Sequence, residues 1–449
     1  MRAAEWCCTF DDDDTELARA DVLVEDGTII AVGTELGVQD VDRVVDGRGL
    51  VVLPGLVNAH QHLYQGACRA LPDLERALIG PWLAGLGALV KDWWRTGRFG
   101  PDAVGAISAA VLAESLLGGV TTVADQHYFF PAGPSLEYVE ATVAAARDVG
   151  LRLHACRGSI TAGPDADVTQ TVDEVVRHSA ELISSVHDPA PSSRTRVALA
   201  PCGPHVDAPE LFDELAALAT DHDGVRLHTH LYEHVDDEVC RARHGCTPWE
   251  LLAAHGWAQS RTWLAHVVNP PAHEIGEFAD AGVGIAHLIA PDLRMGWGAA
   301  PVRDYLDAGC TVGFGTTGSA SNDGANLLGD LRLAALAHRG RDPDDPTRWL
   351  TARELLRAAT RGSAECLGRP ELGRIAVGAR ADLAAWDLTT VDRVGIHDPV
   401  AGLLLTGLSS RASLVVVEGE VLVEHGEPTR LDVAAVAARA HAAVPPLPT

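Results

Sequence analysis

The chain has 449 residues and a formal charge of −27, long enough to bury a large core and to exceed one ordinary domain. Its acidic balance, with Lys91 as the only lysine, excludes a nucleic-acid partner, because phosphate binding needs clustered Lys and Arg. Apolar residues make up 47 %, yet no stretch reaches the length of a membrane span, so no membrane partner is expected either.

The opening MRAAEWCCTF lacks the charged-then-apolar layout of a secretory signal, and a cytoplasmic location is expected. Asp11–Asp14 reads as a solvated acidic loop. ADVLVEDGTIIAVGTEL and RVVDGRGLVVL alternate apolar residues with D-G and G-T turns, which predicts short strands. The same texture returns in GRIAVGARADLAAWDL and ASLVVVEGEVLVEHGE. Both ends together predict a small β-sandwich domain over 1–53 plus 368–430, followed by a C-terminal helix and tail over 431–449. The nine cysteines contain no C-x-x-C pair and read as reduced, mostly buried thiols.

Between these ends, over 54–367, eight apolar runs recur, each ending in polar residues: LVVLPGLVNAH, GVTTVADQH, GLRLHACRG, RVALAPCGPH, GVRLHTHLYE, TWLAHVV, GVGIAHLIA and CTVGFGTTGS. Segments such as PDAVGAISAAVLAESLLGG and APELFDELAALATDHD, with helical apolar spacing, separate them. Strand–helix alternation repeated eight times predicts an α/β fold of the (β/α)₈ barrel type. Barrel chemistry sits at the C-terminal strand ends. The candidate site is therefore His60, His62, Asp125, His127, Arg157, Cys202, His205, His228, His230, Glu233, His266, His287, Thr316 and Thr317.

His60 and His62 flank Gln61 at the first strand tip, where strand alternation turns i and i+2 to the same side. Two neutral imidazoles so placed begin a transition-metal site. In HTHLYE, His230 is the ligand candidate, and Glu233 is placed to carry a proton from water to a leaving group. His228 lies deeper and reads as a supporting or core histidine. His266 either completes the metal site or polarises substrate and shuttles protons; His287 is similarly placed among more apolar neighbours. P-loop, H-E-x-x-H, G-x-S-x-G and H-x-E…P-C-x-x-C motifs are all absent.

LPGLVNAHQHLYQGACRALP, TTVADQHYFFP, HACRGSI, LAPCGPH, HTHLYEHVDDE, GSASND and the tail ATRGSAECLGRPELGRIAVGARADLAAWDL resemble the amidohydrolase superfamily, in the branch of 8-oxoguanine deaminase and the triazine hydrolases. The resemblance covers nearly the whole chain. It implies zinc or iron held by His60, His62 and His230, with Glu233 as proton carrier and His266 assisting the water. Gln65, Arg157, His287, Asp292 and Trp297 are the candidate substrate contacts.

The family's strand-eight aspartate falls at Thr317, and its polar strand-seven segment is replaced by Leu288-Ile289-Ala290-Pro291-Asp292. Losing that aspartate removes a base, a loss on the order of 10²–10⁴ in rate, for which Asp292 is a candidate substitute. The leading expectation is hydrolytic deamination, or related C–N hydrolysis, of a nitrogen heterocycle. Beside it stand a non-hydrolytic lyase, cyclase or isomerase on the same barrel, and an inactive paralogue with or without metal. A small-molecule substrate is expected, and family analogy implies a homodimer.

Overall fold

A computed structural model describes residues 1–37, 40–131, 136–163, 165–406 and 411–447; the last two residues of the proline-rich tail lie outside that set. Four strands open the chain: β1 Ala4–Cys8, β2 Glu16–Glu25, β3 Thr28–Thr34 and β4 Leu50–Pro54. The eight predicted barrel strands follow: β5 Leu56–Gln61, β6 Val120–His127, β7 Arg152–Arg157, β8 Thr195–Leu199, β9 Arg226–Leu231, β10 Thr262–His266, β11 Gly284–His287 and β12 Thr311–Phe314. Four more, β13 Leu383–Asp387, β14 Leu414–Val417, β15 Glu420–Glu424 and β16 Glu427–Pro428, return to the first group.

The terminal strands share one sheet in the order β16-β15-β14-β13-β4-β1-β2-β3, where β4 pairs antiparallel with β13 and parallel with β1. Strict alternation sorts its side chains. Val52, Leu383, Ala385, Leu414 and Val416 pack with Cys7, Val22 and Ile29 in a core of their own. Val51, Leu53, Ala384, Trp386, Val415 and Val417 join the main core shared with the barrel.

β5 to β12 run parallel in chain order, the arrangement a right-handed βαβ series produces. Val57, Ala59, Ala124, Cys156, Ala198, Trp263 and Ala286 fill the axis, so the barrel is packed and not a pore. Small residues along the axis leave room for Trp263, whose Nε1 donates to the Ala59 carbonyl at 3.0 Å. The seam between β12 and β5 closes at the strand tips: Thr316 N–H donates to Asn58 Oδ1 at 3.2 Å, and Thr317 N–H to the His60 carbonyl at 3.0 Å. Gly315 makes this approach feasible, since a Cβ there would stand 2.7 Å from the His60 carbonyl oxygen.

Outer helices start where the sequence offers caps. Thr171 with Glu174, Thr247 with Glu250, and Thr351 with Glu354 form reciprocal capping boxes that satisfy the first orphan N–H groups. Between β5 and β6 the chain makes two 3₁₀ turns and a helix, Ile79–Arg95, before the barrel helix Pro101–Leu117. Trp82 and Leu86 of the inserted helix pack with Tyr64, Phe129 and Met295, roofing one side of the barrel mouth. All nine cysteines are unpaired, and eight are buried. Among the described residues no helix is long and apolar enough to cross a membrane.

Candidate active site

Three imidazoles converge at the barrel mouth. His230 Nε2 stands 3.2 Å from both His60 Nε2 and His62 Nε2. Their second nitrogens fix which atom carries hydrogen. His62 Nδ1–H donates to the Gln126 carbonyl at 2.8 Å, and His230 Nδ1–H to the Cys202 carbonyl at 2.6 Å. His228 donates from Nδ1 to the Trp263 carbonyl at 2.9 Å, which leaves its Nε2 to accept from His60 Nδ1–H at 2.8 Å. Every Nε2 in the cluster is therefore a free lone pair. His228 also stacks on Trp263, 4.1 Å between centroids, which locks the support in place.

Burial, then repulsion among the rings, holds His60 and His62 well below the ordinary imidazole range, and burial does the same for His230. Neutral imidazoles with lone pairs aimed at one point are the form that ligates. The 3.2 Å from His230 Nε2 to each of the other two is close to the roughly 3.4 Å separating two nitrogens on one tetrahedral ion. The donor set fits a divalent transition metal.

Facing the cluster, Glu233 Oε1 lies 3.4 Å from His266 Nε2, and its Oε2 lies 4.0 Å from His230 Nδ1. His266 Nδ1 donates to Asp292 Oδ1 at 2.7 Å. Burial works against the imidazolium, but Glu233 and Asp292 outweigh it and raise the His266 pKa. Burial also pushes Asp292 up, to about 6. Outer partners of this kind affect activity by about 10–100-fold. Asp292→Asn is accordingly expected to lower kcat within that range with little change in KM, measured by steady-state kinetics across a pH series.

Thr317, the position at which the sequence resemblance leads one to expect a carboxylate, borders the cavity with a left-handed backbone, φ 54°. Tyr232, His234, His266 and Val267 share that uncommon region at neighbouring strand tips. Each such non-glycine residue costs roughly 1–3 kcal/mol, and they are worst tolerated when β-branched, as Val267 and Thr317 are. Thr316 points away from the cluster and bonds the Asn58 amide at 2.8 Å and Gln61 Oε1.

Gln65 and Trp297 border the cavity together with His205, Tyr128, Trp82 and Met295. The Gln65 amide donates to the Tyr128 hydroxyl at 3.1 Å. Three expected substrate contacts stand elsewhere. Asp292 is fully buried behind His266. His287 is fully buried against His338, 3.0 Å between Nε2 atoms. Arg157 is enclosed beside Phe130 and Gln170. Asp125 accepts from Leu63 N–H at 2.7 Å and pins the turn after the ligand strand, while His127 donates to the Phe129 carbonyl at 2.9 Å. Sequence reasoning missed Tyr128, Trp82 and Met295, and also the carbonyl partners of the histidines; an aromatic-rich insertion after the first strand was the one signal pointing to Trp82.

A parallel eight-stranded barrel with an H-x-H tip, a strand-five histidine and a facing Glu–His pair defines a barrel hydrolase with a single three-histidine donor set. The description of the amidohydrolase family matches residues 51–422, and the chain belongs to that family, in the branch with 8-oxoguanine deaminase and triazine hydrolases. It is an enzyme of the hydrolase class. The chain is 36 % identical over 435 residues to 8-oxoguanine deaminase of Pseudomonas aeruginosa, covering 95 % of this chain and 94 % of that protein. It is 35 % identical to hydroxydechloroatrazine ethylaminohydrolase of Pseudomonas sp. strain ADP, covering 93 % and 89 %. The crystal structure of the atrazine chlorohydrolase TrzN from Arthrobacter aurescens TC1, complexed with zinc, superposes with a TM-score of 0.97 at 57 % identity over 99 % of each chain.

Proposed function

We propose that this chain is a metal-dependent hydrolase that replaces a leaving group on a ring carbon of a nitrogen heteroaromatic, of the s-triazine kind, with hydroxyl. The observation that carries this reading is the Glu233–His266 pair set across from three imidazole lone pairs, in a cavity walled by Trp82, Tyr128, Met295 and Trp297. Such walls suit a flat, weakly polar ring. Similarity supports the substrate class: the 57 %-identical chlorohydrolase has also been solved, as a point mutant, complexed with zinc and atraton.

His60, His62 and His230 would hold the ion, zinc by analogy with these relatives, and when bound it supplies a Lewis acid that acidifies water at neutral pH. Glu233 removes the proton of the attacking water and returns it to the ring nitrogen or the departing group. One C–O bond forms, one bond from ring carbon to leaving group breaks, and the leaving group departs with its electron pair. Glu233 and Asp292 favour the imidazolium form of His266, which in that form donates from Nε2 to charge building on the ring. Tyr128 orients the Gln65 amide, which offers a polar contact at the cavity wall. The Thr317 hydroxyl is far less basic than a carboxylate, so proton handling falls on Glu233 alone. That favours leaving groups that depart without a second proton carrier.

A matched panel of s-triazines, identical except for chloride, methoxy, methylthio or amino at one ring carbon, tests the reading. Turnover of the chloro and methoxy compounds at least about tenfold faster than the amino compound is expected, since one proton carrier is worth about 10²–10⁴. Turnover confined to amino compounds or purines would replace it with a deaminase.

A further inference from the structure

Arg157 closes β7 and is 1 % exposed. Its Nη1 donates to the Gly158 carbonyl and, at 3.1 Å, to Gln170 Oε1, and its guanidinium carbon lies 4.5 Å from the Phe130 ring centroid. Nε and Nη2 have no partner, and neither does Gln170 Nε2, whose amide orientation is fixed because its oxygen accepts from the arginine. Three buried donor atoms thus lie together with nothing to accept from them.

No carboxylate pairs with this cation among the described residues, and none of the undescribed residues is Asp or Glu. Asp207 is the acid whose field reaches Arg157, and it is committed elsewhere. Its Oδ1 accepts from the Ser159 and Thr161 hydroxyls at 2.8 and 3.1 Å, and its Oδ2 from Gly203 N–H at 3.2 Å. Burial raises Asp207 to about 7, which disfavours its charged form. Burial lowers Arg157 only to about 9, so the cation persists. His127, across Phe130, is neutral and contributes no charge.

A buried ion is normally paired, because desolvation is not recovered by neutral hydrogen bonds alone. The Phe130 face offsets part of that cost. Water could fill the donors but would leave the charge uncompensated. We propose that Arg157 and the Gln170 amide hold a small monovalent anion of halide type at the end of β7, beside Phe130. The site lies outside the catalytic cavity, yet it is connected to the wall. Ser159 and Thr161 bind Asp207, and Asp207 binds Gly203, which stands between the cavity residues Cys202 and His205. The anion orders the turn at Gly158–Thr161 and, through Asp207, the wall.

The test uses the complete protein and bromide as probe. Crystals grown with sodium bromide are expected to show an anomalous peak within hydrogen-bond distance of Arg157 Nη2 and Gln170 Nε2. Ordered water there, with no anomalous signal, overturns the proposal. In solution, sodium chloride or bromide should raise the melting midpoint by about 2–4 °C over sodium gluconate at equal ionic strength. The difference should vanish in Arg157→Met. A midpoint in the unsubstituted protein that ignores the anion also counts against it. If Arg157→Met does not fold, the bromide map decides.

Discussion

Glu233→Gln should lower kcat/KM on a chloro- or methoxy-s-triazine by about 10²–10⁴, the usual worth of a positioned proton carrier. The substitution keeps volume and shape but cannot accept water's proton and release it again. Glu233 stands 3.4 Å from His266 and outside the three nitrogens that converge, so metal content should stay unchanged. Steady-state kinetics beside plasma mass spectrometry separates the two effects. A fall of less than about tenfold would move the proton-carrying role to His266, the imidazole 3.4 Å from Glu233.

His60→Ala should remove both the metal and the activity. Purified without chelator or added metal, the unsubstituted protein is expected to carry about one zinc per chain, as three imidazoles suffice for a catalytic site. The variant keeps two ligands and should fall below about a tenth of that. His228→Ala is the informative companion. It leaves all three ligands but deletes the acceptor that fixes the His60 tautomer, and about 10–100-fold weaker metal binding is expected. An empty site in the unsubstituted protein would overturn the metal-dependent reading and turn attention to metal-free chemistry at Glu233.

The eight barrel strands were legible because parallel strands buried on both faces write near-continuous apolar runs into the sequence. Strand ends, however, encode height along the barrel and not direction. On β7, Cys156 faces the axis, while Leu153 and Ala155 face the outer helices, and Arg157 has their parity. On β11, Ala286 faces inward and Ile285 outward, so His287 goes outward too. Both were expected among substrate contacts, and both stand behind the wall.

His266 has the outward parity of Leu264 on β10, yet it reaches the cavity because its backbone turns left-handed, φ 72°. The ligand strand β5 departs from regular register between Asn58 and Gln61, which re-aims its tip. Such exceptions cannot be counted off a sequence. Nor can the carbonyls of Gln126, Cys202 and Trp263, since any residue supplies one. Thr317 was legible as a threonine at a strand tip; its left-handed backbone was not.

The pairing of β4 with β13 joins strands from opposite ends of the sequence, and β4 runs through Pro54-Gly55 directly into the ligand strand. During synthesis β1 is at hand early, but β4 must wait for most of the polypeptide before its antiparallel partner β13 exists. Until then the edge that later meets Leu383–Asp387 is open to any other extended segment. Contacts this distant in sequence form late and slowly. Loading of the ion site should therefore be among the last events in biogenesis, and nascent chains released early would be prone to aggregate.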